Sequence, residues 1–297
     1  MSKLQIGFFG DGPWSHEALK KLTQDDSIVV NFICARNDKP DEELKSLAKE
    51  YNVDFFTHPN INSEEFISKV SLYKCSLYVS MSFNQIFKNR LIYLPPLGSI
   101  NCHAGKLPFY RGRNVLNWVL INDEKEFGIT VHYIDEGIDT GDIIQQKTFE
   151  IKDTDDYSTI LEKAYTECGS ILYDSIKILQ FGTVKALKQV HIHALGSYCS
   201  ARILGDERLD WNQTSREIFN FVRAICEPGP QARTWLHDAE YRINQIELFE
   251  NSTNYKGIPG SVIGIEGDAF LVKTLDSFVR IRKWSGYRMP RIGDRFR

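Results

Sequence analysis

The segment Leu4-Gln5-Ile6-Gly7-Phe8-Phe9-Gly10-Asp11-Gly12-Pro13-Trp14 decides how this chain is read. Leu4–Phe9 is a short apolar run rich in aromatic and branched side chains, the pattern of a buried strand. Gly10–Pro13 makes a turn. Trp14, Ala18, Leu19 and Leu22 then recur at helical spacing, and a second apolar run follows at Ile28–Ala35. Strand, turn, helix and strand in that order predict parallel strands joined by a crossover helix. The alternation continues outward. A helix carries Leu44, Leu47, Ala48 and Tyr51 on one face, and Val53–Phe56 is a short strand. Asn62 or Ser63 opens a helix with Phe66, Ile67 and Val70, and strands follow at Leu77–Met81 and Ser99–His103. The expected fold class is α/β, a Rossmann-like, doubly wound, mostly parallel sheet. The opening turn begins like a dinucleotide fingerprint but ends in Ser15, and Pro13 removes an N–H that would face phosphate, so a nicotinamide cofactor is not expected.

Farther along, Ile129–Ile134 and Ile143–Phe149 read as strands around a Gly/Asp-rich loop. Asp155 opens a long amphipathic helix, with Ile160, Leu161, Ala164, Cys168, Ile171, Leu172, Ile176 and Leu179 on one stripe, that ends near Gly182. His191 and His193 share a face if that stretch is a strand, but no third ligand accompanies them, and no metal is expected. Gly196–Asp210 lacks periodicity. Thr214-Ser215-Arg216-Glu217 fits a capping box ahead of Ile218, Phe219, Val222 and Ile225, and Pro228-Gly229-Pro230 stops that helix. Short alternating runs at Ile243–Phe249, Gly260–Ile265, Ala269–Thr274 and Phe278–Lys283 predict a small β-barrel or sandwich. The expected domains are residues 1–195, a linker at 196–209, and residues 210–297.

At 297 residues, 42% hydrophobic and 25% charged, the chain has the make-up of a globular protein large enough for two domains. No apolar run is long enough to span a bilayer, and the start, Met1–Gly7, has no leader pattern, so a cytoplasmic location is expected. The six cysteines form no CxxC pair, which removes the usual support for zinc-ribbon and dithiol-redox readings. A net charge of −3 gives no general attraction to nucleic acid, although Arg280, Arg282, Lys283, Arg288, Arg291, Arg295 and Arg297 crowd the C-terminal tail.

The chemistry concentrates between Met81 and Ile144. Asn101 and His103 alternate with Cys102 at a strand end, so the amide and the imidazole point to one face and the thiol to the other. Such a pair suits attack on a carbonyl, the amide stabilising an oxyanion and the imidazole moving a proton. It equally suits a strand end whose polar groups are satisfied by backbone. Gly105–Asn114 then supplies Lys106, Arg111 and Arg113 on a Gly/Pro-containing loop, either a phosphate-holding loop or a solvated one. Ile134–Asp142 packs four acids around Gly137 and Gly141, which reads as a metal site lacking any accompanying His or Cys cluster, as a loop presenting one carboxylate to His103, or as a solvated acidic turn.

Three segments together resemble the folate-dependent formyltransferases, a family that includes methionyl-tRNA, glycinamide ribonucleotide and sugar N-formyltransferases. They are Ser99–Pro108 with Arg111-Gly112, Gly128-Ile129-Thr130-Val131-His132, and Asp139-Thr140-Gly141-Asp142-Ile143-Ile144. The resemblance extends to Asp210-Trp211, Thr214–Ile225 and Pro228-Gly229, and implies a C-terminal oligonucleotide-binding-like (OB-like) barrel. After His103 this chain reads Ala104-Gly105-Lys106-Leu107-Pro108 where the commoner wording has a Ser. By the resemblance, Asn101 binds the oxyanion, His103 shuttles the proton and Asp139 orients His103. A 10-formyltetrahydrofolate co-substrate is implied, its pterin held by Phe83, Gln85, Ile86, Phe87, Asp135 and Gly137. Acceptor binding is implied for Gly10, Lys106, Arg111, Arg113 and Asn114.

The resemblance also bears on the acceptor. The tRNA enzymes carry a basic loop after the second strand, whereas Arg36–Glu43 here is short and acidic. Arg111–Trp118 looks most like the nucleotide-sugar enzymes. A UDP- or dTDP-linked 4-amino-4,6-dideoxyhexose is therefore the expected acceptor, with methionyl-tRNA as the alternative. Nucleic acid and membrane are not expected as partners, and a homodimer is left open.

Overall fold

The computed structural model describes residues 3–182, 184–249 and 252–297. In chain order its elements are β1 (Leu4–Gly10), α1 (Gly12–Thr23), β2 (Ile28–Ala35), α2 (Glu42–Glu50), β3 (Asp54–Thr57), α3 (Glu64–Ser71), β4 (Leu77–Met81), α4 (Asn89–Ile92), β5 (Ser99–His103), β6 (Arg111–Gly112), α5 (Val115–Ile121), β7 (Glu126–Tyr133), β8 (Ile143–Glu150) and α6 (Tyr157–Phe181). A one-turn 3-10 helix (Gln189–His191) and β9 (Tyr198–Cys199) follow, then α7 (Ser215–Ile225), β10 (Ala232–Leu236), β11 (Ala239–Glu247), β12 (Val262–Glu266), β13 (Ala269–Lys273) and β14 (Phe278–Ser285). Contacts divide the chain into two compact units. The first is Met1–Gly112, Phe127–Phe149 and Glu162–Cys199. The second is Arg113–Glu126, Glu150–Leu161 and Ser200–Arg297.

In the first unit, a seven-stranded sheet runs β3-β2-β1-β4-β5-β7-β8. β1 pairs in parallel with β2 and β4, β2 with β3, and β4 with β5. The strand order therefore reverses at β1/β4, the switch point where open α/β sheets bind ligands beyond the carboxyl ends of their strands. β7 pairs antiparallel with β5, setting His132 opposite Asn101 and Thr130 opposite His103. One face of the sheet is sealed by an aromatic cluster of Phe9, Phe32, Phe66, Tyr78 and Phe87, with Phe56 and Phe83 packed against it. Edge-to-face contacts such as Phe9–Phe87, with centroids 4.7 Å apart, add orientation to the apolar burial. The stretch with His191 and His193 is a helical turn and not a strand. Carbonyl Gln189 O accepts from the N–H of both Ile192 and His193, which closes the turn.

The second unit holds a five-stranded sheet in the order β10-β11-β14-β13-β12, and its pairings are antiparallel. Among the described residues no closed barrel is found. Instead, Leu236 on β10 bridges Phe296, and Ser261, just before β12, bridges Arg295. Its core holds a mixed stacked and edge-to-face cluster of Trp211, Tyr241, Phe270 and Phe296, with the half-buried Trp284 packed on it. The capping box of α7 forms as the sequence predicts, with Thr214 and Glu217 exchanging side-chain-to-backbone bonds. A single cut near residue 196 does not describe this unit, because α5 and residues 150–161 belong to it. Asn117 on α5 donates to Ala224 O at 2.6 Å, and Arg216 on α7 donates to both Asp123 and Asp153. These are side-chain pairings between distant parts of the chain, which periodicity does not register.

Candidate active site

His103 closes β5 and is buried, 8% exposed. Its Nε2 lies 2.7 Å from the carbonyl oxygen of Tyr110. A carbonyl only accepts, so Nε2 keeps its hydrogen and Nδ1 is the nitrogen whose protonation can change. Nδ1 faces Asp139 Oδ2 at 3.5 Å. His132, 3% exposed on β7, is fixed the other way round. Its Nδ1 donates to Tyr133 O at 2.7 Å, so in the neutral ring Nε2 accepts from Asn101 Nδ2 at 3.3 Å, and when protonated it faces Asp139 Oδ1 at 3.5 Å as a donor. The Asn101 amide has two hydrogens, and this contact uses one.

Asp139 is thus flanked by two imidazoles, each at 3.5 Å, the outer limit of hydrogen-bond reach. Its carboxylate accepts the N–H of Gly112 at 2.9 Å. Burial pushes its pKa up, but His103, His132 and the Gly112 amide outweigh that and hold it well below the usual carboxylate range. Asp139 adopts φ +54, a left-handed conformation that a non-glycine residue holds only where its surroundings impose it. Gly105 is required by close approach: a Cβ there would lie 2.5 Å from both His103 Nε2 and Tyr110 O, inside the bond between them. The Cys102 thiol points away and donates to Cys168 O at 3.6 Å. Asn101, His103 and Asp139 therefore come together. His132 joins them although the motif reading gave it no role, and its position opposite Asn101 across an antiparallel pair was the signal that could have found it.

The other expected residues fall in several settings. Phe87 is core, and Phe83 packs on Phe9 with centroids 5.6 Å apart. Gln85 is spent locally, donating to His58 O and accepting from Ile61 N–H. Ile86 is 62% exposed, an apolar side chain presented to solvent. Asp135 shapes its loop by accepting from Gly137 N–H at 3.0 Å and Thr140 Oγ1 at 2.5 Å. Gly137 leaves no room for a Cβ against the Thr140 side chain. Gly10 is buried against Ser15. Arg111, read from sequence as a loop cation, is 6% exposed, and its guanidinium is committed to Gln189 and Leu195 O. Residues 189–198 fold over it and supply those partners. In the second unit, Arg113 is exposed and Asn114 accepts the Arg202 N–H at 2.9 Å.

Residues 4–176 match the model of the formyl transferase family, and residues 204–287 match that of the formyl transferase C-terminal domain. The chain belongs to the formyl transferase family. It is therefore a one-carbon transferase. Among formyl transferases, a methionyl-tRNA formyltransferase of Halothermothrix orenii is 30% identical over 94% of this chain and 91% of its own. Two solved structures share the fold. WlaRD, a sugar 3N-formyl transferase determined with dTDP and 5-N-formyl-THF, superposes with a TM-score of 0.70 at 23% identity, covering 95% of this chain and 97% of its own. An N-formyltransferase from Helicobacter canadensis, in complex with folinic acid and dTDP-3-aminofucose, gives 0.68 at 22%, covering 96% and 100%. No described helix is long and apolar enough to cross a membrane.

Proposed function

We propose that the protein transfers the formyl group of 10-formyltetrahydrofolate to the amine of a nucleotide-linked amino sugar, a UDP- or dTDP-4-amino-4,6-dideoxyhexose destined for a surface glycan. In this reading the amine attacks the formyl carbon while the second Asn101 hydrogen stabilises the oxygen's developing charge. The proton leaving the amine passes to the Nδ1 edge of His103, where Asp139 offsets the resulting positive charge, and returns to the departing folate nitrogen. Phe83, the exposed Ile86 and the Asp135–Ile138 turn offer the apolar and backbone surface that a pterin ring takes.

The observation that carries the acceptor assignment is the state of the loop after β2. Arg36 pairs with Asp38 at 2.6 Å and Asp11 at 3.2 Å, and Asp41 accepts from Gly12 N–H while facing His16 at 2.9 Å. This loop offers carboxylates where a tRNA footprint needs cations. Among the described residues, four of the seven C-terminal cations named above are paired with carboxylates. Arg280 and Arg282 pair with Glu247, Arg288 with Asp294, and Arg297 with Asp238. The sugar-enzyme neighbours, bound to dTDP or a dTDP-amino sugar, support the reading. The tRNA-enzyme relatives favour methionyl-tRNA as the second reading. The deciding assay supplies 10-formyltetrahydrofolate with a panel of UDP- and dTDP-amino sugars, or with charged initiator tRNA, at low salt, and finds the product by mass. Formylated sugar and unmodified tRNA are expected. Formylated methionyl-tRNA with no sugar product overturns the assignment.

A further inference from the structure

Gln189 stands in the helical turn after α6, 50 residues beyond Asp139 in the chain and 2% exposed. Its Nε2 donates to the carbonyl oxygens of Asp139 and Gly141, both at 2.8 Å. Its Oε1 accepts from Arg111 Nε at 3.1 Å and Nη2 at 2.7 Å. Both amide hydrogens and both oxygen lone pairs are thereby used. Arg111 also donates to Leu195 O and the Tyr198 hydroxyl, and it precedes Gly112, whose N–H reaches the Asp139 carboxylate. One buried amide thus ties the peptide that carries Asp139 to the peptide that supplies its N–H donor.

We propose that Gln189, anchored by Arg111, is a positioning residue for formyl transfer: it sets the Asp139 carboxylate between His103 and His132. The role rests on the assignment of Asp139 to the reaction. The geometry requires such a device. Neither imidazole is close enough to hold the carboxylate by a short hydrogen bond, and the left-handed backbone at Asp139 relaxes unless its carbonyl is held. Gln189 holds that carbonyl, and through Arg111 it fixes the Gly112 amide on the other side.

Gln189→Met keeps the volume and removes both sets of bonds. Gln189→Glu keeps the acceptor for Arg111 but offers no donor to the two carbonyls. Both are expected to lower kcat at least about tenfold with KM for the formyl donor within about threefold, and to add less than about twofold in an Asp139→Asn background. Additive loss in that background overturns the proposal, because Gln189 would then act through something other than Asp139. A 13C titration of the Asp139 carboxyl reads placement without any acceptor. The wild-type group is expected to stay ionised below the ordinary carboxylate range, and the variants to protonate within it. An unchanged titration overturns the proposal. A shifted titration with unchanged turnover also overturns it, because Gln189 would then place the carboxylate without serving formyl transfer. If Gln189→Met loses its cooperative melt, Gln189→Glu carries the test.

Discussion

The first unit contains two aspartates built from the same parts. Asp41 accepts Gly12 N–H at 2.8 Å and faces His16; Asp139 accepts Gly112 N–H at 2.9 Å and faces His103 and His132. Both carboxyls are held below their ordinary range against the effect of burial. They differ in closure. His16 Nε2 lies 2.9 and 3.0 Å from the two Asp41 oxygens, and Leu44 N–H adds a helix cap at 2.9 Å. Around Asp139 both imidazoles stand at 3.5 Å, and the backbone is held left-handed. A saturated pair has nothing left to offer a substrate. An open pair retains directional capacity for atoms that arrive later, at the cost of needing the fold to hold it in place.

The comparison breaks most readily on turnover. His103→Ala, Asn101→Ala and Asp139→Asn are each expected to lower formyl transfer at least about a hundredfold, by loss of a proton-transfer group or an oxyanion donor. His16→Ala is expected to stay within about twofold in the same assay. If His16→Ala matches His103→Ala, the distinction between closed and open pairs fails. Gly105→Ala sharpens the comparison by wedging a methyl between the His103 ring and the carbonyl that fixes its tautomer. A drop of about tenfold in kcat with a near-native melting profile is expected, and no drop would show that the Tyr110 contact is dispensable.

For stability the ranking reverses. Asp41→Ala removes the α2 cap and is expected to cost about 1 kcal/mol in urea unfolding with kcat unchanged. Acid should weaken both sites with the same sign. A carboxyl whose folded pKa is depressed contributes stability that is fully present above its unfolded value, near about 4, and is lost as pH falls through the folded value. Unfolding free energy should therefore decline below about pH 4, and Asp41→Asn should flatten that decline. An unaltered slope would mean that the Asp41 network contributes nothing to folding.

How far the sequence carried depends on what held each residue in place. Asn101 and His103 were legible because strand alternation alone puts them on one face, and Cys102 faces away as that rule requires. The parallel β3-β2-β1-β4-β5 run was legible from apolar runs alternating with helical periods. Asp139 came from its place in a recognised motif, since nothing in its spacing reveals a left-handed backbone. His132 and Gln189 were missed for a shared reason. One is a cross-strand neighbour in an antiparallel pairing that the parallel reading did not foresee. The other reaches back 50 residues from a single helical turn. Arg111 was misjudged because a cation in a Gly/Pro loop looks solvated until the chain from Gln189 to Tyr198 closes over it. The C-terminal arginines crowd the tail in sequence, and most of their acidic partners, Asp238, Glu247 and Glu266, precede them in the chain, with only Asp294 among them.

The bridges made by Phe296 and Arg295 bear on a different hazard. A five-stranded open sheet has two outer strands whose unpaired amides and carbonyls can template another chain. Here the same short tail occupies both rims. Trp235 and Arg297 exchange N–H and carbonyl on the β10 side, while Val262 N–H reaches Asp294 O and Phe296 N–H reaches Gly260 O beside β12. Four residues thus act as a selvedge that keeps the cloth from unravelling into its neighbours. Removing residues 294–297 would leave a sheet that still folds around Tyr241 and Phe270 but recruits copies of itself, visible as light scattering that grows with concentration.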